Sequence, residues 1–324
     1  MRLALAAALA ATLLLAAPAS GATLLPPQGK VFAGLTGGMS SDVFAAQTGR
    51  RPPVFQFFTS FSSPPGWPFA RAAAAGARPM LHVSTMNAAQ REVVTPAQIA
   101  AGRVDRWLLG LHDAIADSGE PTYVRLMSEM NGHWNAYSAY GANGRPRGRG
   151  HSTKAFRAAW RRIVLIVRGG DVAVIDARLR RLHLPAVRTA RRTLERAPVA
   201  FLWVPQVAGS PDVAGNAPRA YWPGGAYVDW VGTDFYSKFP NWRGLERFYR
   251  AFPHKPFAFG EWAMWGRDDP AFVHKLFAWM RTHPRVRMAM YNQGNNGAGP
   301  FRLKRYARAR RVLRAELSAR RFAI

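Results

Sequence analysis

The chain has 324 residues, of which 48% are hydrophobic and none is cysteine, and its formal net charge at pH 7 is +27. This hydrophobic fraction excludes a chain that is disordered throughout, and the absence of cysteine excludes disulfides and a thiol nucleophile. The excess of 45 basic over 18 acidic residues permits binding to acidic polymers, but the arginines are spread along the sequence, which favours ordinary solvated side chains.

Residues 1–22 have the pattern of a secretory signal peptide. Arg2 precedes an apolar stretch that reaches Ala17, and small residues follow at Ser20–Ala22. An uncleaved membrane anchor is the alternative, but the apolar stretch is shorter than a typical membrane-spanning helix. No later part of the sequence has the length and hydrophobicity of a span, so we expect a secreted, extracellular protein without a transmembrane anchor after cleavage.

Eight short apolar runs in the remaining residues, 23–324, predict β-strands, and several are continuous rather than alternating, as in buried parallel strands. The predicted strands are Val31–Leu35, Val54–Phe61, Met80–Ser84, Tyr123–Met127, Val199–Val204, Val228–Phe235, Phe257–Phe259 and Arg287–Tyr291. The predicted helices are Pro68–Gly76, Pro96–Ser118, Ser152–Val167, Trp242–Phe252 and Asp269–His283. Thr95 is the expected cap of the second helix.

Alternating strands and helices predict an α/β fold, a single (β/α)8 TIM barrel. An open doubly wound sheet is the alternative, although Gly34–Gly38 lacks the spacing of a dinucleotide-binding loop. Two further segments stand out. Residues 169–198 carry a helical pattern and read as an insertion between strands 4 and 5, and residues 302–321 predict a basic C-terminal helix.

Two glutamates follow apolar strand-like runs, Glu129 after the fourth and Glu261 after the seventh. Burying an isolated carboxylate is costly, so such positions indicate a function. In a TIM barrel the carboxyl ends of the strands form the active site, where two facing carboxyl groups suit glycosidic bond cleavage. By strand alternation Arg125 points the same way as Glu129 and can either hold an ionised carboxylate or serve a structural role.

The sequence from Arg125 to Trp134 resembles the acid/base motif of glycoside hydrolase family 26, the β-mannanase family of retaining (β/α)8 glycosidases. Further resemblances follow in the family's order at residues 160–163, 201–206, 221–236 and 259–262. The resemblance implies that Glu129 is the general acid/base and Glu261 the nucleophile, that Tyr236 hydrogen-bonds the nucleophile, and that Trp134 borders the substrate. Ser128 departs from the family, which usually has a sugar-contacting histidine there, and this departure puts mannose specificity in doubt.

Other side chains near the predicted strand ends suit sugar binding, because aromatic faces stack on pyranose rings and amides bind hydroxyl groups. The candidates are Trp262, Trp265 and Asn292, with His82 either contacting substrate or satisfied within the core. The histidine spacing matches no ligand motif, so we expect no catalytic metal and no cofactor. The resulting hypothesis is a secreted retaining glycosidase of β-linked polysaccharide, with mannan favoured.

Three alternatives remain open from the sequence. The first is a barrel that binds polysaccharide without cleaving it. The second is a protein whose basic surface binds anionic cell-envelope material or nucleic acid through charge alone; no specific nucleic-acid recognition is expected. The third keeps the enzyme but gives it an anionic glycan, attracted by the basic segments 145–149 and 178–196.

Overall fold

The computed structural model describes residues 23–294 and 298–324. The predicted signal peptide, residues 1–22, lies outside the described residues. Eight parallel strands close into a barrel in which each strand pairs with its neighbours in the chain and the last pairs with the first. The strands are β1 (Phe32–Thr36), β2 (Val54–Ser60), β3 (Arg78–Ser84), β4 (Thr122–Leu126), β5 (Val199–Trp203), β6 (Trp230–Tyr236), β7 (Phe257–Ala263) and β8 (Val286–Asn292). The predicted TIM barrel is confirmed.

Helices surround the barrel. They are α1 (Ser41–Thr48), α2 (Trp67–Ala74), α3 (Pro96–Ala100), α4 (Asp105–Ser118), α5 (Thr153–Arg168), α6 (Val172–Arg181), α7 (Trp242–Ala251), α8 (Pro270–Thr282) and α9 (Ala307–Leu317). Short 3-10 turns occur at Arg149–His151, Ala214–Asn216, Pro218–Tyr221, Gly225–Tyr227, Leu303–Arg305 and Arg320–Phe322. None of the helices in the two described ranges is long and apolar enough to cross a bilayer.

Alternate residues of the strands fill the barrel interior. The apolar part of this interior is a separate cluster of buried side chains that includes Phe32, Val54, Met80, Tyr123, Trp230 and Met288. Two residues further along their strands, Gln56, His82 and Arg125 take the next interior positions. The interior therefore changes from apolar to polar toward the C-terminal ends of the strands.

The structure changes the predicted position of both glutamates. Strand β4 ends at Leu126, and the chain then turns through Met127 and Glu129, whose φ angles are 39° and 51°. Glu129 therefore lies in the loop, and strand alternation from Arg125 does not set its direction. Glu261 lies inside β7 rather than after it, because pairing with β6 and β8 continues the strand past Gly260, with a register irregularity beside it.

The predicted helix 96–118 is wrong as a single element. The Thr95 capping box is present, but α3 ends at Ala100 and α4 begins at Asp105. Gly102, with φ of 80°, turns the chain between them. Helix α1 was not predicted, because its buried face consists only of Ser41, Phe44 and Thr48 and gives a weak apolar pattern.

Between α5 and β5 the chain forms α6 and a two-stranded antiparallel ribbon, Gly170–Asp171 with Thr193–Leu194. Arg162 of α5 ties this segment down. Its Nε donates to Asp105 of α4 at 2.8 Å and its Nη1 donates to the carbonyl oxygen of Pro185 at 2.7 Å. The segment therefore covers the outer sides of α4 and α5. Near the C-terminus, the predicted helix 302–321 is shorter, with α9 flanked by two 3-10 turns.

Candidate active site

A buried group of charged side chains lies at the C-terminal ends of the strands, with Arg125 at its centre. Arg125 is 1% exposed, and its Nη1 donates to Oε1 of Glu261 at 2.5 Å. Its Nη2 donates to Oδ2 of Asp234 in a close contact. Burial alone would lower the pKa of Arg125, but the charges of Asp234 and Glu261 outweigh it and raise that pKa. One cation thus serves two carboxylates from β6 and β7.

Glu261 accepts hydrogen bonds on both oxygens. Besides Arg125, the amide of Gln56 donates to Oε1 at 3.2 Å. The hydroxyl of Tyr236 donates to Oε2 at 2.5 Å, and the amide of Asn292 donates to the same oxygen at 2.7 Å. Such a set of donors fixes the orientation of the carboxylate. Burial and the nearby charge of Glu261 raise the pKa of Tyr236, so this hydroxyl remains a donor.

Glu129 has a different environment. Its Oε2 accepts from the indole of Trp134 at 2.7 Å, and its Oε1 accepts from the amide of Gln206 in a close contact. Arg125 donates to Glu261 and Asp234 but makes no hydrogen bond to Glu129. Burial raises the pKa of Glu129, and the negative charge of Glu261 raises it further. The protonated form is therefore favoured on Glu129.

Asp234 completes a set of three carboxyl groups around one guanidinium. Burial raises the pKa of Asp234, and the Arg125 charge opposes that effect. Arg125 contacts Glu261 and Asp234 directly, yet burial still raises the pKa of Asp234, as it raises that of Glu129. The pocket therefore places Glu261 against a cation and Glu129 against uncharged donors, and unequal environments of this kind suit paired-carboxylate catalysis.

The loop that carries Glu129 is held by backbone contacts. The amide of Glu129 donates to the carbonyl oxygen of Val204 at 2.7 Å. The guanidinium of Arg147 donates to the carbonyl oxygens of Asn135 and Ala136, each at 2.9 Å. The predicted basic loop around Arg147 thus has a structural task beside the pocket, while Trp134 remains 48% exposed at its edge.

Most of the predicted sugar-binding residues lie at or near the two glutamates. The structure brings Arg125, Tyr236 and Asn292 into contact with Glu261, and Trp134 into contact with Glu129. Trp265 stands at the edge, with its ring 5.5 Å from that of Tyr236.

Trp262 is not brought to the pocket, which contradicts the prediction that it binds substrate. It is 2% exposed and packs between the barrel and α8, 5.6 Å from the ring of Phe277 and 4.9 Å from that of Tyr291. Adjacent residues of a strand face opposite sides, so its neighbour Glu261 faces the interior and Trp262 the helices.

Sequence reasoning missed the contacts of Gln56 and Gln206 with the two glutamates. Gln56 carries a signal that was available, since it is a single amide in the otherwise apolar run Val54–Phe58. Gln206 lies three residues beyond β5 and approaches Glu129 only through the fold. No group of three or more His, Cys, Asp or Glu suited to a metal ion occurs within the part of the chain that the structure describes.

No family model matches the sequence, and no curated protein matches it. Solved structures do match. A mannanase of Bacillus subtilis is 17% identical, with a TM-score of 0.56 over 88% of this chain and 85% of that one. The catalytic domain of a family 26 endo-β-1,4-mannanase from Bacillus sp. JAMB-750 is 14% identical, with a TM-score of 0.59 over 91% and 87%. A modular endo-β-1,4-mannanase from Cellulomonas fimi is 16% identical, with a TM-score of 0.59 over 91% and 72%.

The chain has the fold of the glycoside hydrolase family 26 mannanases. The resemblance seen in the sequence is thus confirmed at the level of the fold. Within this family 26 fold, the hydroxyl of Ser128, at the position usually held by histidine, lies 3.0 Å from Nε2 of His82 on β3. Burial, followed by the charge of Arg125, lowers the pKa of His82, so the ring is neutral.

His82 lines a cavity of about 400 Å³ together with Asn135, whose side chain donates to the backbone carbonyl oxygen of Glu129 at 3.1 Å. The other polar side chains that line it are Thr59, Ser60, Ser63, Ser84, Asn87, Gln90 and Asn135. None of its lining residues carries a formal charge when His82 is neutral. The Nδ1 of His82 is buried and has no hydrogen-bond partner among the described residues. The cavity therefore offers hydroxyl, amide and imidazole groups to a neutral polar ligand.

Proposed function

We propose that this protein is a retaining glycoside hydrolase that cleaves a β-linked polysaccharide, with β-mannan as the favoured substrate. The observation that carries the proposal is the unequal environment of two carboxyl groups. Arg125, Tyr236 and Asn292 all donate to Glu261. Among the residues that the structure describes, no cation lies within hydrogen-bonding distance of Glu129, and burial raises its pKa. Retaining glycosidases require such a pair, one ionised and one protonated.

In this mechanism Glu129 gives its proton to the glycosidic oxygen while an oxygen of Glu261 attacks the anomeric carbon. The bond to the leaving sugar breaks, and a glycosyl ester forms on Glu261. Glu129, now ionised, takes a proton from water as that water attacks the anomeric carbon. The sugar leaves, and both glutamates return to their starting states.

A neutral glycan is favoured over an anionic one. The cavity beside His82 is lined by uncharged groups. The arginines of residues 178–196 belong to the segment that covers the outer sides of α4 and α5, and Arg147 is engaged by backbone carbonyl oxygens. These positions support a substrate recognised through hydroxyl groups, as in mannan, β-1,3-xylan or mixed-linkage β-glucan.

The decisive experiment measures reducing-end release from mannan, xylan, β-glucans and acidic polysaccharides. We expect turnover of one neutral β-glycan and a loss of several orders of magnitude in both Glu129→Ala and Glu261→Ala. Glu120→Ala, which removes an exposed carboxylate, is the matched control and keeps full activity. Near-normal turnover in either site variant would refute the assigned roles.

The same variants separate the enzyme from the alternatives. A barrel that binds polysaccharide without cleaving it would retain glycan affinity and release no reducing ends. A protein that associates with the cell envelope through its basic surface would bind much more weakly as salt is added, and neither substitution would change that binding. For the enzyme, azide should restore turnover of an activated glycoside to Glu129→Ala, because the azide anion attacks the glycosyl ester without a base and releases the sugar as a glycosyl azide.

We propose export of the mature chain from the signal-peptide pattern in residues 1–22. Recovery of the protein from the culture medium, with an N-terminus near residue 23, would support this proposal. Retention of residues 1–22 on a cell-associated protein would contradict it.

A further inference from the structure

A second pocket lies on the opposite end of the barrel from Arg125. Four arginines line a cavity of about 260 Å³: Arg168, Arg178, Arg181 and Arg196. We call this site the arginine pocket. Arg196 precedes β5 by three residues, and Arg168 ends the helix that returns from the active-site end. The arginine pocket therefore opens near the N-terminal ends of the strands, where the catalytic groups cannot reach.

One of the four arginines is fixed in place. Nη2 of Arg168 lies 2.8 Å from both carboxylate oxygens of Asp229, and Nη1 donates to the carbonyl oxygen of Ala226 at 2.8 Å. The side chain of Asp229 is buried, so this pair anchors one wall of the arginine pocket. Its charge is balanced within the protein.

The charges of the other three arginines are not balanced by a carboxylate among the described residues. Arg178, Arg181 and Arg196 make no side-chain hydrogen bond or ion pair with any residue in the described ranges 23–294 and 298–324, and no carboxylate lines the cavity. Three unpaired cations around one small cavity repel one another. An anion between them would remove that repulsion and satisfy the guanidinium donors.

The side chains that line the arginine pocket indicate the chemical class of its ligand. Guanidinium groups form paired hydrogen bonds with phosphate oxygens in a fixed fork geometry. Leu165, Ile175 and Leu182, together with Tyr227, supply an apolar wall. The cavity is several times the volume of one water molecule, about 30 Å³ in the liquid, so it has room for more than a bare ion.

We propose that the arginine pocket binds a phosphate ester, with the phosphate on the arginines and its organic part against the apolar wall. The site is separate from the proposed glycosidase centre. With this site, some of the basic residues behind the net charge of +27 have a ligand-binding role. The phosphate can come from a soluble ester or from a phospholipid headgroup.

The test compares two triple variants of the full chain with equal charge changes. Arg178→Gln/Arg181→Gln/Arg196→Gln removes the unpaired cations of the pocket. Arg180→Gln/Arg188→Gln/Arg192→Gln removes three exposed arginines of the same segment that do not line it. Calorimetric titration with glycerol 3-phosphate, at ionic strength held constant with chloride, reports the affinity of each protein. Far-UV circular dichroism and thermal unfolding confirm that both variants fold.

We expect the pocket variant to bind glycerol 3-phosphate at least tenfold more weakly than the parent, and the control variant within twofold of it. Equal weakening in both would mean diffuse charge attraction and would overturn the proposal, as would absence of saturable binding by the parent. Binding to vesicles of phosphatidylglycerol, compared with binding to vesicles of phosphatidylcholine, then identifies the source of the phosphate. Vesicle binding lost only in the pocket variant indicates a lipid headgroup; vesicle binding equal in both variants, with ester binding pocket-dependent, indicates a soluble ester.

Discussion

Arg125 on β4 donates a 2.5 Å hydrogen bond to Glu261 on β7, across the mouth of the barrel. The same guanidinium contacts Asp234, so the fold supplies a cation to two of the three carboxyl groups in the pocket. This contact distinguishes the proposed nucleophile from the proposed acid, since Glu129 is left with neutral donors.

Replacing Arg125 by Gln should damage both stability and turnover. Removing one partner of a buried ion pair costs about 3–5 kcal/mol, and loss of one preorganised charge in an active site lowers kcat by roughly 10²–10³-fold. Urea unfolding and kcat on the best glycan measure these effects. Arg125→Lys keeps the charge and should recover part of the stability. Full activity in Arg125→Gln would show that Glu261 needs no cation.

The pH dependence of stability should change in Glu129→Gln. Because the pKa of Glu129 is raised above its ordinary value of 4.5, the folded state binds this proton more tightly than the unfolded state. Folding stability from this group is therefore lost as pH rises from about 4.5 through the raised pKa. We expect Glu129→Gln to lose less stability over that window, measured by urea unfolding from pH 4 to 8. A pH profile identical to that of the parent would contradict the raised pKa.

Activity should report the same group. The alkaline limb of kcat/KM follows the deprotonation of the free enzyme's acid, so it should lie above the ordinary pKa of a glutamate. In Glu129→Ala, we expect the rate of the first step, formation of the glycosyl ester, to lack this alkaline limb when the substrate is activated and its leaving group needs no proton. Burst kinetics on such a substrate isolate that step, and a limb that persists there would assign the titration to another residue.

His82 lines the cavity and contacts Ser128, so its polar atoms should contribute to substrate recognition. Replacing it by Phe keeps an aromatic ring and removes the polar atoms, with an expected loss of about 1–3 kcal/mol in transition-state binding, or roughly 5- to 150-fold in kcat/KM. Ser63→Ala, at another polar position of the same cavity, is the control and should change kcat/KM less. Equal effects in both would assign His82 a packing role.

Two tryptophans should behave in opposite ways. Trp262 is buried, so Trp262→Ala should cost about 3–5 kcal/mol of stability and leave KM nearly unchanged at temperatures where the protein is folded. Trp134 is half exposed and donates to Glu129, so Trp134→Ala should lower kcat/KM with little change in the unfolding midpoint. Denaturation and kinetics on both variants test the contrast, and a raised KM in Trp262→Ala would refute its core assignment.

Close packing around Arg125 leaves no room for a side chain at Gly260. A Cβ at this position would lie 2.8 Å from Nε of Arg125 and 2.9 Å from Cγ1 of Val204. Gly260→Ala should therefore destabilise the protein by about 1–3 kcal/mol and lower activity by displacing Arg125. Gly225→Ala, where a Cβ would meet nothing within 4 Å, is the matched control. An unchanged Gly260→Ala enzyme would show that Arg125 has room to move.

Local sequence determined the barrel and much of its proposed active site, because buried parallel strands leave apolar runs and each strand end exposes its polar residues on one face. Glu129, Glu261, Arg125, Tyr236 and Asn292 were found in this way or through the family resemblance. The strand ends differ from the prediction, since pairing with neighbours carries β7 past Gly260 and the turn at Met127 takes Glu129 out of the strand.

Only the tertiary structure decided which groups meet. Gln56 contacts Glu261 from a position 205 residues away in the chain, and Gln206 contacts Glu129 from 77 residues away. Trp262 and Glu261 are adjacent in sequence, yet the pleat of one strand sends the first to the helices and the second to the pocket. Residue types and spacing fix what a side chain can do; barrel closure fixes its neighbours, and neighbouring charges and burial set its protonation.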